Sequence, residues 1–139
     1  MDERDSILKI LQTCRTIAVV GLSPKPHRDS FSVSRYMQAQ GYRIIPINPN
    51  APTILGEKAY PTLTEAARHE KIDLVNCFRR SEEIAPIAAE AVAIGAKGLW
   101  MQLGVASDEA TAAAEAAGLL VVQDACIRTE HGRLRQWSA

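Results

Sequence analysis

The sequence predicts an α/β fold: a doubly wound parallel sheet of about five strands, Rossmann-like and formed by a single domain. Short apolar runs, typical of strands buried on both faces, alternate along the chain with amphipathic stretches typical of helices. The chain has 139 residues, the size of one ordinary domain, and no linker or repeat divides it. Right-handed crossovers between parallel strands then place helices on both faces of the sheet.

The first half of the chain predicts two strands, each preceded by a helix. Residues 5–15 carry apolar side chains at helical spacing, and residues 16–20 (TIAVV) form a buried strand. Ser30 is expected to cap the second helix. Residues 43–47 (RIIPI) form the second strand, and Pro46 there indicates a sheet edge, because proline has no N–H to donate to a neighbouring strand.

The second half of the chain predicts three further strands and the helices between them. The expected elements are an extended piece at 56–60, a helix opened by the capping box 62–65, a strand at 73–77, a helix at 81–94, a strand at 98–102, a helix capped by Ser107 and a strand at 119–122. The tail, residues 124–139, has no clear pattern. Trp137 in this tail is expected either to be disordered or to pack on a second subunit.

Composition excludes several classes of protein. Sixteen Lys and Arg balance sixteen Asp and Glu, so the basic excess of a nucleic-acid binder is missing. No apolar run approaches the ~20 residues of a membrane span, and the charged N-terminus lacks a signal-peptide core. The cysteines and histidines are too scattered for a disulfide framework or a metal site, which favours a cytoplasmic location and no metal. These residues are Cys14, Cys77, Cys126, His27, His69 and His131.

Ligands of doubly wound folds bind beyond the carboxyl ends of the strands, and the loop after the first strand suits an anion. It ends at a helix N-terminus, where free N–H groups attract phosphate. Its candidate binding residues are Gly21, Ser23, Lys25, Arg28 and Ser30. A plain polar loop is the alternative. The loop lacks both the G-x-G-x-x-G fingerprint and the P-loop pattern, and Asn48 stands where NAD ribose needs an acid, so a nicotinamide dehydrogenase is disfavoured.

Two later strand ends also carry candidate binding residues. Phe78 offers a flat apolar face, and Arg79 offers a two-pronged donor to phosphate. Arg80 is as readily explained by an ion pair with a nearby acid. After the fourth strand, Gln102 has an amide that can bond a ligand amide. Gly104 either permits close backbone approach or serves only the turn.

Cys126 is the candidate nucleophile, because His131 follows it closely in the sequence. The stronger interpretation is structural, since a free cysteine is commonly a small buried apolar residue. Cys77 lies in a strand and is expected in the core. We assign no catalytic residue from the sequence.

Six motifs, in order along the chain, resemble the small bacterial and archaeal CoA-binding proteins. They are VGLSPKPHRDSF (20–31), GYRIIPINP (41–49), ILGEKAYP (54–61), VNCFRR (75–80), GAKGLWMQLG (95–104) and DACIRTEH (124–131). Members of this family are single Rossmann-like domains, similar to the N-terminal CoA-binding domain of the succinyl-CoA synthetase alpha subunit. The resemblance extends over about residues 16–134 of the chain.

The resemblance implies that coenzyme A binds at the strand ends described above. It assigns Ser23 and Lys25 to the phosphate loop, Asn48 and Pro49 to the adenine-ribose end, Phe78, Arg79 and Arg80 to the nucleotide pocket, and Met101, Gln102 and Leu103 to the pantetheine arm. One position departs from the family: its usual D-R-C reads Asp124-Ala125-Cys126 here. If that arginine faced the ligand, one positive contact is missing.

These observations predict a binder of CoA or an acyl-CoA without catalysis of its own. Ligase activity is not expected, because the synthetases need a phosphohistidine domain and a nucleotide-binding subunit. One alternative is a thiol- or thioester-acting enzyme, or a redox protein, that uses Cys126 with bound CoA. Another is a binder of a different nucleotide such as NAD. The expected partner is small-molecule CoA, with no nucleic acid and no membrane, and a homodimer stays open.

Overall fold

A parallel five-stranded sheet forms the centre of the computed structural model, which describes residues 2–138 apart from the side chains of residues 137 and 138. The strands in chain order are β1 (Thr16–Val20), β2 (Arg43–Ile47), β3 (Thr53–Ile54), β4 (Glu57–Lys58), β5 (Leu74–Cys77), β6 (Gly98–Met101) and β7 (Leu120–Val122). The sheet runs β2-β1-β5-β6-β7, and β3 pairs with β4 in a separate antiparallel hairpin. The predicted doubly wound parallel sheet is thereby confirmed.

Helices cover both faces of this sheet. They are α1 (Glu3–Thr13), α2 (Asp29–Ala39), α3 (Leu63–Ala67), α4 (Ile84–Ala93), α5 (Asp108–Ala116) and α6 (Ile127–Ser138), with a 3-10 turn at Ser81–Glu83. Apolar residues of α1, α2 and α6 share one buried cluster with half of the strand side chains. Residues of α3, α4 and α5 share a second cluster with the other half. Strand side chains point alternately to the two faces, so both clusters use every main strand.

Side-chain caps begin several helices. The Thr62 hydroxyl accepts a hydrogen bond from the Glu65 N–H, and the Ser107 hydroxyl accepts one from the Ala110 N–H, as the sequence predicts. The prediction for Ser30 is wrong. Helix α2 begins at Asp29 without a side-chain cap, and the Ser30 hydroxyl instead accepts from the Ser23 N–H at 3.0 Å, because the preceding loop folds back over the helix start.

Pro46 lies on an edge strand, as predicted. It pairs in register with Val19 of β1 on one side, and β2 has no further sheet strand on the other. Its carbonyl accepts a hydrogen bond from the Tyr60 N–H at 3.0 Å. The Tyr60 carbonyl in turn accepts one from the Asn48 N–H at 2.9 Å. Tyr60, which lies between β4 and α3, therefore pairs with the outer side of β2 at Pro46 and with Asn48 just beyond it.

Asp73 ties strand starts together at the amino edge of the sheet. Its carboxylate accepts from the N–H groups of Arg15 and Thr16 at 2.9 and 3.1 Å, and the Lys97 ammonium lies 3.6 Å away. Burial alone would raise the pKa of Asp73, but the two N–H donors, with help from Lys97, hold it below its ordinary value. Asp73 is therefore charged at neutral pH.

The C-terminal segment that the sequence left without a pattern is helical, as α6. His131 of this helix is buried, and its Nδ1 lies 3.0 Å from the Tyr36 hydroxyl oxygen of α2. The rings of Tyr36 and Tyr42 meet the His131 ring edge-on. The expectation about the Trp137 side chain lies outside the described residues. Within residues 2–138, no helix is both long and apolar enough to cross a membrane.

Candidate ligand-binding site

Three neighbouring clefts lie at the carboxyl ends of the strands. We name each after one lining residue: the Leu103 cleft has a volume of about 700 Å³, and the Ser30 and Asn48 clefts about 550 Å³ each. Arg79 lines all three of them, and Phe78 lines the Leu103 and Ser30 clefts. Gly21 and Ser23 line both the Ser30 and the Asn48 clefts. These shared walls join the three clefts into one continuous surface.

Most of the candidate residues from the sequence line this surface. They are Gly21, Ser23, Arg28, Ser30, Asn48, Pro49, Phe78, Arg79, Arg80, Gln102, Leu103 and Gly104. Met101 does not line it: its side chain is 0% exposed and packs in the core with α3, α4 and α5. Lys25 is exposed in the loop after β1, and its N–H donates to the Ser23 hydroxyl at 3.1 Å, but it lines none of the three clefts.

Gly21 allows the ends of β1 and β5 to approach closely. The Phe78 N–H donates to the Val20 carbonyl at 2.9 Å. A Cβ built on Gly21 would lie 2.5 Å from the Phe78 carbonyl oxygen, and Gly21 has a φ of +87°. Only glycine satisfies both constraints without strain. The shape of the wall shared by the Ser30 and Asn48 clefts therefore depends on residue 21 being glycine.

Asn48 shapes the neighbouring loop and is bonded within the protein. Its Nδ2 donates to the Leu22 carbonyl at 3.0 Å, and its Oδ1 accepts from the Asn50 N–H at 2.7 Å. These bonds tie the end of β2 to the loop after β1. Each polar atom of the side-chain amide thus has one partner within the protein, and the binding role predicted for Asn48 stays a prediction.

Glu83 pairs with both arginines that follow β5. Arg79 Nη2 lies 3.0 Å from Glu83 Oε1, and Arg80 lies 3.8 Å from the same oxygen and 3.5 Å from Glu82. The sequence anticipated pairing chiefly for Arg80. The hydrogen bond that the Arg80 backbone N–H donates to the Glu83 carboxylate, together with the guanidinium groups of Arg79 and Arg80, holds the pKa of Glu83 below its ordinary value. Glu83 is therefore ionised at neutral pH. One acid therefore offsets part of the positive charge of the site.

Gln102 is 4% exposed and its amide is bonded within the protein. Its Nε2 donates to Asn76 Oδ1 at 2.7 Å, and its Oε1 accepts from the Ile127 N–H at 3.4 Å. These bonds tie the segment after β6 to β5 and to the start of α6, and the predicted bond to a ligand amide stays a prediction. Gly104 has a φ of +85°, and its N–H donates to Asp124 Oδ1 at 2.6 Å, so the turn itself requires this glycine.

The Leu103 cleft holds one partly exposed thiol. Cys126 is half-buried there, whereas Cys14 and Cys77 are buried. The core position predicted for Cys77 is confirmed, and burial raises its pKa to about 12. The sequence favoured a buried position for Cys126, but the residue is only half-buried. It directly precedes α6, where that helix meets the cleft. Among the described residues, no group of histidines, cysteines and acids is placed to hold a metal ion.

Sequence reasoning missed several lining residues, among them Glu83, Val105, Arg128 and Thr129. The spacing of Glu83, four residues after Arg79, is the usual spacing of a helical ion pair and could have revealed it. Arg128 and Thr129 lie in the first turn of α6, which had no sequence signature. Asp29, weighed in the sequence only as a charge opposing phosphate, is exposed and lines the Leu103 and Ser30 clefts.

Solved structures and a curated protein share this fold or sequence. The uncharacterized protein YneT of Bacillus subtilis (strain 168) is 43% identical over 125 residues, covering 90% of this chain and 91% of that protein. A hypothetical protein from Pyrococcus horikoshii OT3 is 36% identical with a TM-score of 0.89, covering 97% of this chain and 93% of that one.

A more distant structure shows the fold alone. An apo dinucleotide-forming acetyl-coenzyme A synthetase from Ca. Korarchaeum cryptofilum is 23% identical with a TM-score of 0.69, and the match covers 82% of this chain but 27% of the synthetase. The family model described as a CoA binding domain matches residues 15–132, which include all the residues that line the three clefts. This chain belongs to the CoA binding domain family.

Proposed function

We propose that the chain binds coenzyme A or an acyl-CoA across the three joined clefts, without catalysis of its own. The observation that carries this proposal is the position of Arg79, which lines all three clefts and so lies where they meet along the path of one extended ligand. CoA is such a ligand, with a phosphorylated nucleotide at one end and a thiol at the other. The family membership supports the same ligand class.

The Ser30 and Asn48 clefts suit the phosphorylated nucleotide. The first helical turn of α2 borders the Ser30 cleft, where its free N–H groups favour an anion. Arg28 and Arg79 add positive charge there, and Lys25 lies in the same loop. Gly21 carries no side chain to project into this cleft, and its backbone packs closely on the Phe78 carbonyl.

The Leu103 cleft suits the pantetheine arm. Phe78 and Val105 supply apolar walls, and Leu103 is 73% exposed beside them. An exposed leucine at a cleft mouth leaves apolar surface in water that a ligand methylene or methyl group can cover. Phe78 lines both this cleft and the Ser30 cleft, so an extended ligand can pass from one to the other along its ring.

Calorimetry of the purified chain tests this function. We expect saturable CoA binding that weakens for dephospho-CoA and at raised salt, because screening reduces the attraction between phosphates and exposed arginines. No binding at millimolar CoA would overturn the proposal. NAD and purine nucleotides are the competitors to include. The proposal also fails if one of them binds more tightly than CoA, so that it displaces CoA at a lower concentration than CoA needs to displace it.

Thiol chemistry at Cys126 is the second candidate function. The observation that favours it is the half-buried position of Cys126 in the Leu103 cleft. The Cys126 thiolate would attack the disulfide of oxidised CoA, forming a protein–CoA disulfide and releasing one CoA thiolate. Intact mass spectrometry after exposure to oxidised CoA decides: one added CoA, absent from Cys126→Ser, supports the exchange. An unchanged mass excludes it.

A further inference from the structure

Among the described residues, Arg128 is the arginine of the Leu103 cleft that has no acidic partner. Three arginines line this cleft: Arg79, Arg80 and Arg128. Glu83 pairs with the first two, at 3.0 and 3.8 Å. Within the described part of the chain, Arg128 has no ion pair, and its side chain is exposed. Asp29 is the other acid lining the cleft, and it forms no ion pair with Arg128.

Arg128 lies in the first turn of α6 and lines one of the three clefts. It lines the Leu103 cleft but neither the Ser30 nor the Asn48 cleft. The other residues confined to this cleft include Leu103, Val105, Cys126 and Thr129. If the nucleotide occupies the two clefts beside β1, this cleft receives the thiol of CoA and any acyl group attached to it.

The chemistry of this cleft suits one class of acyl group. Leu103 and Val105 offer apolar surface, which favours methylene groups. The Arg128 guanidinium, a planar donor with five N–H groups, favours a carboxylate, and no described acid satisfies it. A purely apolar acyl chain would gain no attraction from that cation, which water solvates when no carboxylate is bound.

We infer that the site prefers an acyl-CoA whose acyl group ends in a carboxylate, with Arg128 as the residue that recognises it. This inference rests on the proposed function, since it requires CoA to bind across the three clefts. Arg128 is a specificity-determining residue in this account, and it makes no contribution to binding free CoA.

Two thioesters with five-carbon acyl groups test the inference. Glutaryl-CoA and pentanoyl-CoA differ at the far end of the acyl chain, where one has a carboxylate and the other a methyl group. Calorimetry should show about tenfold tighter binding of glutaryl-CoA, the size expected from one charge-assisted hydrogen-bonded pair in a partly open cleft. Equal or weaker binding of glutaryl-CoA would overturn the inference.

Variants of α6 test whether Arg128, rather than another residue, causes the preference for glutaryl-CoA. In Arg128→Gln we expect the tenfold difference to disappear while the affinity for free CoA stays within about twofold. Arg128→Lys should keep part of the preference, because it keeps the charge and loses the two-pronged geometry. Arg135→Gln is the matched control, an exposed arginine on the same helix that does not line the cleft.

The outcomes distinguish this inference from the function beneath it. If Arg128→Gln keeps the preference, another group recognises the carboxylate and the inference is wrong. If Arg128→Gln loses affinity for free CoA, Arg128 holds a phosphate, and the inference is wrong while CoA binding stands. If the wild-type chain binds no CoA, the proposed function fails and the inference fails with it. Thermal unfolding of each variant confirms that the fold is intact.

Discussion

The Phe78 carbonyl oxygen occupies the space that a side chain on Gly21 would need, 2.5 Å from an ideal Cβ position. We therefore expect Gly21→Ala to lower the free energy of unfolding by about 2–4 kcal/mol, from the left-handed backbone and the forced shift of β1 or β5. Gly118→Ala is the control, with a φ of +92° but no atom within 4 Å, and it should lose only about 1–2 kcal/mol. Urea unfolding measures both, and equal losses would contradict the packing argument.

Arg79 is expected to be the most sensitive arginine for CoA binding. Replacement by Gln should weaken CoA binding by about 10- to 100-fold, because a charge-assisted contact to phosphate is lost. Arg68→Gln is a matched control, since Arg68 also pairs with an acid of its own helix region, Glu65, at 3.4 Å but does not line the three clefts. Calorimetry compares the two, and similar affinities would remove Arg79 from the site.

Glu83 opposes binding of an anion, so its neutralisation should help. Glu83→Gln removes a negative charge from the wall of two clefts and frees Arg79 and Arg80 from their shared partner. We expect CoA affinity to rise by roughly two- to fivefold at low salt, with the gain shrinking as salt is added. Weaker binding by the variant would show that the Glu83 pairs are needed to orient the arginines.

Asp73 gives the fold a defined pH dependence. Its pKa in the folded chain lies below the unfolded value, so its stabilisation is present above the unfolded pKa and is lost as pH falls through the folded one. Asp73→Asn should lower the free energy of unfolding by about 1–2 kcal/mol at pH 7, with the difference from wild type shrinking towards pH 3. A constant difference for Asp73→Asn would exclude the charge as its cause.

The three cysteines should differ in reactivity. We expect a disulfide reagent to modify Cys126 in the folded chain while Cys14 and Cys77 react only on unfolding, because both are buried and their pKa values are raised mainly by burial. Bound CoA should slow the modification of Cys126, since the two share the Leu103 cleft in our proposal. Peptide mapping by mass spectrometry assigns the sites, and unchanged labelling at saturating CoA would place the ligand elsewhere.

The strands and their order of appearance could be predicted because their signals are local. The apolar run of β1 indicates a buried strand, and the proline in β2 indicates an edge strand. Both signals lie within the strand itself. The cap of α2 could not be predicted, because Ser30 and Asp29 are both ordinary first-turn residues and the competing partner, the Ser23 N–H, lies seven residues away. Helix α6 was missed because its sequence, IRTEHGRLRQWS, contains few apolar residues and because it packs on α1 and α2, which are distant in sequence.

The candidate site divides in the same way. The strand-end rule located the clefts, and Phe78 and Arg79 were found from residue type and position. The hydrogen bonds of individual polar groups depend on partners distant in sequence: Gln102 bonds to Asn76 and to the Ile127 N–H at the start of α6. Met101 followed from a linear motif, but strand alternation turns its side chain towards the core.

The outer side of β2 also bears on aggregation. A second molecule that approaches this strand finds Pro46, which has no N–H, and a carbonyl that the Tyr60 N–H already occupies. Growth of a fibre from native molecules requires two exposed sheet edges on each molecule, each able to pair with a neighbour. The edge strand on the opposite side of the sheet, β7, is only three residues long. We expect concentrated native protein to resist strand-by-strand polymerisation for as long as the Tyr60 segment stays docked.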